Sequence, residues 1–269
     1  MELFFKYDLN RLHAYSSVEE IDNQIKILEE HKFMAFSFPE VSYFNYAFPT
    51  NGLPLEKFDL EYISDFYRSF GLDKYKIIVP PNHYELKKFF SNNPNFTLTE
   101  TIVQTHYPVE NKLNFEVNPD IVFVRVNERN ILEFTKTYLD SFEAVGRDEV
   151  RVAKNFKSLM NRPGVEFYLT NNGKSHMGVN VLYRETNNYL LAGGAVLPEY
   201  RNHNHHKSGL TMRLKKCLED PQVEKITSWA YKGGVSLHNM NNLKMVEENE
   251  FEVYEFRNLK TNFLINKSW

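Results

Sequence analysis

The sequence predicts an α+β protein, because strand-like and helix-like patterns follow one another along its 269 residues. Hydrophobic residues make up 42% of the chain and aromatic residues 15%, so a sizeable core is available. A polar stretch at residues 108–118 separates two halves that both carry these patterns, as a linker would. We therefore expect two domains, at residues 1–108 and 118–269.

The first half combines helices with strands. Apolar residues recur at helical spacing after a Ser16-Ser17 pair that can cap a helix, at Val18, Ile21, Ile25 and Leu28. Further helices are expected at residues 60–70 and 84–90, and strands at residues 33–38, 42–48, 75–79 and 96–106.

The second half has a more regular order: a strand, two helices, three antiparallel strands, and then helix, strand, helix and strand. The strands are expected at residues 121–126, 165–170, 176–183, 189–197, 225–230 and 251–256, and the helices at residues 131–142, 151–160, 207–218 and 237–246. A strand followed by a loop and a helix amino terminus can bind an anion, because the helix start carries unpaired N–H groups and partial positive charge.

Charge and cysteine content exclude several classes of protein. The formal net charge of -3 gives no broad attraction to nucleic acid or to an anionic membrane. The one cysteine, Cys217, rules out an intrachain disulfide and a cysteine-based zinc cluster. No stretch reaches the roughly 18–20 apolar residues of a membrane span, so we expect a cytoplasmic protein.

One segment carries a specific motif. Residues 191–213 read LAGGAVLPEYRNHNHHKSGLTMR, an apolar strand followed by a basic, histidine-rich loop and a helix. This segment and the order of elements around it resemble the GNAT superfamily of N-acetyltransferases, over about half the chain. The resemblance implies a mixed, mostly antiparallel central sheet flanked by helices, with acetyl-CoA as co-substrate.

The resemblance also implies which residues contact CoA. In the family, the strand pairs with the pantetheine arm, and a loop of pattern Q/R-x-x-G-x-G/A holds the pyrophosphate with its backbone N–H groups. Gly194, Ala195, Val196 and Leu197 match the strand, and Asn239 matches an asparagine further along. The loop and helix start are matched by Arg201, Asn202, His203, Asn204, His205, His206, Lys207 and Ser208.

The chain departs from the family pattern at three functional positions. Asn204 and His206 stand where the family has loop glycines. Asn tolerates a positive φ, whereas the bulkier His206 is expected to crowd the diphosphate. Val246 stands where many members have a tyrosine that protonates the leaving thiolate. The catalytic residues are therefore unassigned, with Glu143, Tyr231 and His238 as weak candidates.

Other polar groups have two interpretations each. Asp140, Glu143 and Asp148 follow the first helix of the second half, where they are either ligands for a substrate amine or surface acids. His203, His205 and His206 lack the further ligands of a tetrahedral metal site, so we expect no metal.

The sequence therefore predicts an N-acetyltransferase that acts on a small-molecule or peptide amine, with neither membrane nor nucleic acid as a partner and with a homodimer left open. The alternative is a non-catalytic GNAT-fold binding or regulatory protein with weakened CoA binding. A two-domain transferase that uses a charged tRNA is a third hypothesis, disfavoured by the charge. Residues 75–79, 84–90 and 96 onward repeat the closing strand–helix–strand order, which suggests a tandem arrangement with a degenerate first copy.

Overall fold

The computed structural model describes residues 1–18, 24–50, 52–111 and 116–257, and these form two compact units. Among the described residues, the first unit contains those within 24–103 and 249–257, and the second those within 2–18 and 104–248. These units differ from the expected division at residues 1–108 and 118–269. The first helix belongs to the second unit, and the end of the last strand belongs to the first unit.

The described residues form seven α-helices and eleven strands. The helices are α1 (Leu3–Ser16), α2 (Lys57–Ser69), α3 (Tyr84–Ser91), α4 (Ile131–Ser141), α5 (Glu149–Met160), α6 (His205–Leu218) and α7 (Val235–Asn242). The strands are β1 (Lys26–Glu29), β2 (Phe33–Ser37), β3 (Tyr46–Pro49), β4 (Lys74–Val79), β5 (Phe96–Tyr107), β6 (Val122–Arg125), β7 (Val165–Asn171), β8 (His176–Glu185), β9 (Asn188–Val196), β10 (Lys225–Tyr231) and β11 (Val246–Arg257). The expected α+β class, with a mostly antiparallel sheet flanked by helices, is confirmed.

The first unit has the strand order β1-β2-β3-β4-β11-β5. Strands β1 and β2, β2 and β3, and β4 and β11 pair antiparallel, whereas β3 and β4 pair parallel. Helix α2 joins the two parallel strands and packs its apolar face, with Ile63 and Tyr67, into the core. The ring of Tyr67 stacks on Tyr75 at 4.3 Å between centroids, so one aromatic core joins helix and sheet.

The second unit has the strand order β5-β10-β9-β8-β7-β6. Strands β6 to β9 pair antiparallel, and β9 pairs parallel with β10. Helix α6 packs on β8 and β9, whereas α7 packs on β10. Helices α1, α4 and α5 pack together, with Phe134 stacked on Phe167 at 4.8 Å. Because α6 follows β9 and packs on it, the start of α6 lies beside the end of β9.

Most expected elements of the second half are confirmed to within a few residues. The last expected helix ends at Asn242 and not at Val246, which lies in β11. In the first half, the prediction of a helix at residues 18–28 is wrong for the residues of this range that the structure describes. Ser16 and Ser17 end α1, Leu28 lies in β1, and residues 19–23 lie outside the described residues. The strand expected at residues 42–48 begins with a short 3-10 turn, Ser42–Phe44.

Of the linker expected at residues 108–118, residues 112–115 are not described. No described helix combines the length and the apolar character that crossing a lipid bilayer requires.

Candidate functional site

Strands β9 and β10 run side by side for only a short distance. They pair in parallel over three residue pairs, from Asn188 with Lys225 to Leu190 with Thr227. The described pairing between the two strands stops there. Strand β9 continues along β8 on its other edge as far as Val196, and the N–H of Leu197 donates to Met177 at 2.9 Å. The last residues of β9, which are half-buried, are therefore paired with β8 on one edge and lie beyond the described pairing with β10 on the other.

The loop after β9 turns into α6 through two residues in the left-handed region. Asn202 has a φ of 66° and Asn204 a φ of 60°. Asn204 is the N-cap residue of α6, and its side chain makes no capping hydrogen bond. The first N–H groups of a helix have no acceptor within the helix, and they lie at the positive end of its dipole. Asn204 thus has the positive φ that asparagine was expected to tolerate.

Two cavities flank this helix start. One of about 700 Å³ is lined by Asn118, Asp120, Asn172 and Met177, by Glu199 and Tyr200, and by the loop residues from Asn202 to His205. The other, of about 320 Å³, lies between residues 116–119 and the loop and helix start, where His203, Asn204, Lys207 and Ser208 line it. Of the loop and helix-start residues predicted from the motif, all but Arg201 and His206 line one of these cavities.

The histidines of the loop differ in their surroundings. Burial, and then His203, lower the pKa of His205 from its ordinary value. The Nδ1 atom of His205 is buried with no hydrogen-bond partner among the described residues. A buried polar atom of this kind is normally paired with protein or with ordered water.

His206 lines neither of the two cavities. Its Nδ1 lies 3.1 Å from Nδ2 of Asn239, and its Nε2 lies 3.5 Å from the hydroxyl of Ser236. Burial, with a smaller contribution from Arg213, lowers the pKa of His206 to about 4, so the ring is neutral at pH 7. The ring connects α6, which follows β9, to α7, which follows β10.

Arg201 and Glu143 form an ion pair. The guanidinium lies 2.8 Å from the carboxylate, and it also donates to the carbonyls of Ser141 at 3.0 Å and Val196 at 3.3 Å. Glu143 has a φ of 53°, which is unusual for a residue with a side chain. Arg201 therefore connects the end of β9 to the loop after α4, and both sequence-predicted residues lie at the same end of the unit.

Sequence comparison gives no relative, since no protein-family profile and no curated protein matches the chain. Solved structures do match. A conserved protein of unknown function from Staphylococcus epidermidis superposes with a TM-score of 0.63 at 14% identity, over 91% of this chain and 99% of that one. A GCN5-related N-acetyltransferase from Sphaerobacter thermophilus superposes with a TM-score of 0.64 at 7% identity, over 89% and 84%. A tandem GNAT protein from the clavulanic acid biosynthesis pathway gives a TM-score of 0.61 at 11% identity, over 84% and 78%.

This chain has the GNAT fold. Identities this low concern the fold alone, so the chemistry of the site depends on its own residues.

Four other candidate residues have separate positions in the GNAT fold. Tyr231 ends β10 and is 39% exposed, with its ring against Trp229. His238 is exposed on α7. Asn239 contacts His206 instead of an open strand edge. Asp148 accepts hydrogen bonds from the N–H groups of Val150 and Arg151, so its carboxylate caps α5.

Sequence reasoning missed one buried charge in this GNAT-fold unit. Arg213 is 1% exposed in α6, on the face that carries Leu210, Leu214 and Cys217. The signal was a charged residue on an otherwise apolar helix face. Burial raises the pKa of Cys217 to about 12, which keeps it a thiol at neutral pH. No group of His, Cys, Asp and Glu suited to a metal ion occurs among the residues that the structure describes.

Proposed function

We propose that the protein is an acyl-CoA-dependent N-acetyltransferase that transfers an acetyl group from acetyl-CoA to an amine. The observation that carries this proposal is the start of α6, an uncapped helix amino terminus with Asn204 in the left-handed conformation, at the end of a strand that diverges from its parallel neighbour. Such a terminus favours phosphate groups, and a diverging strand offers backbone groups to an extended ligand arm.

In this proposal, the amides at His205, His206 and Lys207 hold the diphosphate of CoA, with Asn202, His203 and Ser208 beside them. The backbone of Ala195, Val196 and Leu197 pairs with the pantetheine arm. The support for this assignment is that Asn202, His203, His205, Lys207 and Ser208 line the cavities beside the helix start and that β9 pairs with β8 on its other edge.

The reaction needs no covalent enzyme intermediate. A deprotonated amine attacks the thioester carbonyl, the new C–N bond forms as the C–S bond breaks, and the amine proton passes to the CoA sulfur. A backbone N–H of β9 near Val196 stabilises the developing oxyanion. Glu143, Tyr231 and His238 stay candidates for the proton transfers.

Isothermal titration with acetyl-CoA tests the proposal, using Asn204→Asp as the variant. The added carboxylate suits a helix amino terminus, so folding stability is expected to stay equal or rise, whereas a bound diphosphate is repelled. We expect acetyl-CoA affinity to fall at least tenfold, roughly 1.4 kcal/mol.

Asn130→Asp is the matched control, because Asn130 is the N-cap residue of α4 in the same unit. It should leave the affinity unchanged. The absence of acetyl-CoA binding by the wild-type protein at millimolar ligand, or an equal response of both variants, would contradict the proposal.

The second candidate is a GNAT-fold binding or regulatory protein without turnover. The contact of His206 with Asn239 favours it, because the ring occupies space between the helices that follow the two diverging strands. Absence of acetyl-CoA binding, or binding without acetyl transfer to a panel of amines, supports this candidate.

We also propose that the first unit is a degenerate copy of the second. In both units a helix connects two parallel strands, α2 between β3 and β4 and α6 between β9 and β10. In α2 the N-cap residue Glu56 and Asp59 form a reciprocal capping box. The proposal therefore predicts one acetyl-CoA per chain, bound at α6, which the titration stoichiometry measures.

The acceptor amine, its small-molecule or peptide nature, the cytoplasmic location and a homodimer stay predictions. Amine panels and sedimentation analysis address the acceptor and the oligomeric state.

A further inference from the structure

The side chain of Arg213 is a buried cation held by carbonyl oxygens. Its Nη1 donates to Val181 at 2.9 Å and to Gly193 at 2.8 Å, and its Nε donates to Gly209 at 3.1 Å. No carboxylate is among its partners in the described part of the chain. Burial lowers the pKa of Arg213 to about 10, so the group stays protonated at neutral pH.

Two of these carbonyls belong to an irregularity between β8 and β9. Asn180 is opposite Gly194, but Leu182 is opposite Leu191. Strand β9 therefore has one more residue than β8 over this interval, which is a β-bulge. A bulge disrupts the ladder locally and leaves backbone groups that need other partners. Arg213 binds one carbonyl on each strand at this point.

The guanidinium lies directly against the strand that leads to the loop. A Cβ atom added to Gly194 would lie 2.7 Å from Nη2 of Arg213, so a side chain at this position would require the guanidinium to shift. A lysine at position 213 could not reproduce all the hydrogen bonds of Arg213. Its single ammonium cannot lie both where Nη1 binds Val181 and Gly193 and where Nε binds Gly209. Charge, fork geometry and the glycine at 194 together fix the bulge.

We propose that Arg213 is a positioning residue of the acyl-CoA site: by binding Val181 and Gly193 it fixes the direction of β9 from Gly194 to Val196. This inference rests on the proposed function, since it concerns the strand that pairs with the pantetheine arm. Arg213 acts through the backbone, because its described hydrogen bonds go to the carbonyls of Val181, Gly193 and Gly209 and none goes to the loop at residues 201–206.

The experiment compares two probes that share the nucleotide end of CoA. Acetyl-CoA carries the pantetheine arm, whereas adenosine 3′-phosphate 5′-diphosphate keeps both phosphates of the CoA diphosphate and lacks the arm. In Arg213→Lys we expect acetyl-CoA affinity to fall about tenfold, the size of one lost charge-assisted hydrogen bond, and the affinity for the nucleotide probe to change less than about twofold. Arg184→Lys is the matched control, because Arg184 is an exposed arginine near the other end of β8 that pairs with Asp220. It should change neither affinity.

Gly194→Ala repeats the test from the strand side, because its methyl group must displace the guanidinium. It carries the test alone if Arg213→Lys fails to fold, as judged by circular dichroism. An equal loss of affinity for both probes in a folded variant, or no loss of affinity for acetyl-CoA, overturns the positioning role. If the wild-type protein binds neither probe, the proposed function fails and the role of Arg213 in it fails as well.

Discussion

Acidification should destabilise the protein through His206. The ring is neutral and half-buried in the folded state, where its pKa is about 4 against an ordinary 6.5. The unfolded chain therefore binds a proton at this residue between pH 6.5 and 4, and the folded chain does not. Stability is lost as pH falls through this interval and changes no further below it, because both states are then protonated.

The magnitude follows from the two pKa values. At roughly 1.4 kcal/mol for each tenfold change in proton affinity, the fall from 6.5 to about 4 corresponds to on the order of 3 kcal/mol of unfolding free energy. Such a contribution is a large part of the stability of an ordinary domain, so it should be measurable against the titration of the carboxylates.

Two measurements check the value. An NMR titration of the histidine ring protons, assigned with His206→Asn, gives the pKa directly. Denaturant unfolding of the wild type and of His206→Asn between pH 7 and 4 gives the free energy of unfolding of each protein. The change of their difference with pH is the contribution of His206, since the carboxylates are common to both proteins. His205→Asn is the control and should show a smaller difference. A pKa of His206 near 6.5, or a difference in unfolding free energy that does not change with pH, would refute the claim that burial lowers this pKa.

Three further predictions concern the same helix. His206→Gly should increase acetyl-CoA affinity in calorimetry if the ring restricts the ligand, at a cost of about 1–2 kcal/mol in stability from the lost hydrogen bond and the flexible backbone; equal or lower affinity would contradict the restriction. Asn204→Val should destabilise the protein by about 1–2 kcal/mol in denaturant unfolding, because a β-branched residue is strained at a φ of 60°, whereas Asn204→Gly should be nearly neutral. Gly209→Ala should cost at least about 1–3 kcal/mol, because the new Cβ would lie 2.2 Å from Oδ1 of Asn180; Asn180→Ala added to it should recover part of that loss, and no recovery would argue against the clash.

Local pattern was sufficient to predict most of the second unit. The strands that become β7 and β8 follow from apolar alternation, and the Asn171-Asn172-Gly173-Lys174 turn between them follows from its residue types. The start of α6 was expected at Lys207 but lies at His205, because two adjacent histidines look more like a loop than a helix. The positive φ of Asn204 was predictable, since asparagine is one of the few residues that tolerate it.

The first helix shows where local pattern misleads. Serine is common at helix starts, so Ser16 and Ser17 suggested a helix that follows them. In the structure they end α1, and the Ser17 hydroxyl donates back to the carbonyl of Ala14 at 2.7 Å. The buried face of α1, with Phe5, Leu12 and Tyr15, repeats at helical spacing and was a usable signal.

Long-range partners could not be predicted from one sequence. The contacts of His206 with Asn239, Arg201 with Ser141, and Arg213 with Val181 join residues 33, 60 and 32 positions apart. Such pairs depend on how strands and helices pack, and periodicity gives only the face on which each residue lies. The sequence could therefore name His206 as a departure from the family pattern but not the direction of its ring.

The two crossover helices show how a helix start for a ligand differs from a structural one. In α2 the N–H of Glu56 donates to Asp59 at 2.8 Å, and Lys32 pairs with both carboxylates at 3.2 and 3.4 Å. The helix supplies its own anion, so a phosphate there would meet two negative charges. In α6 the N-cap side chain makes no such bond, and a missing cap costs about 1 kcal/mol of helix stability. A bound diphosphate would restore that stability, which is the physical reason to assign the ligand to the second unit.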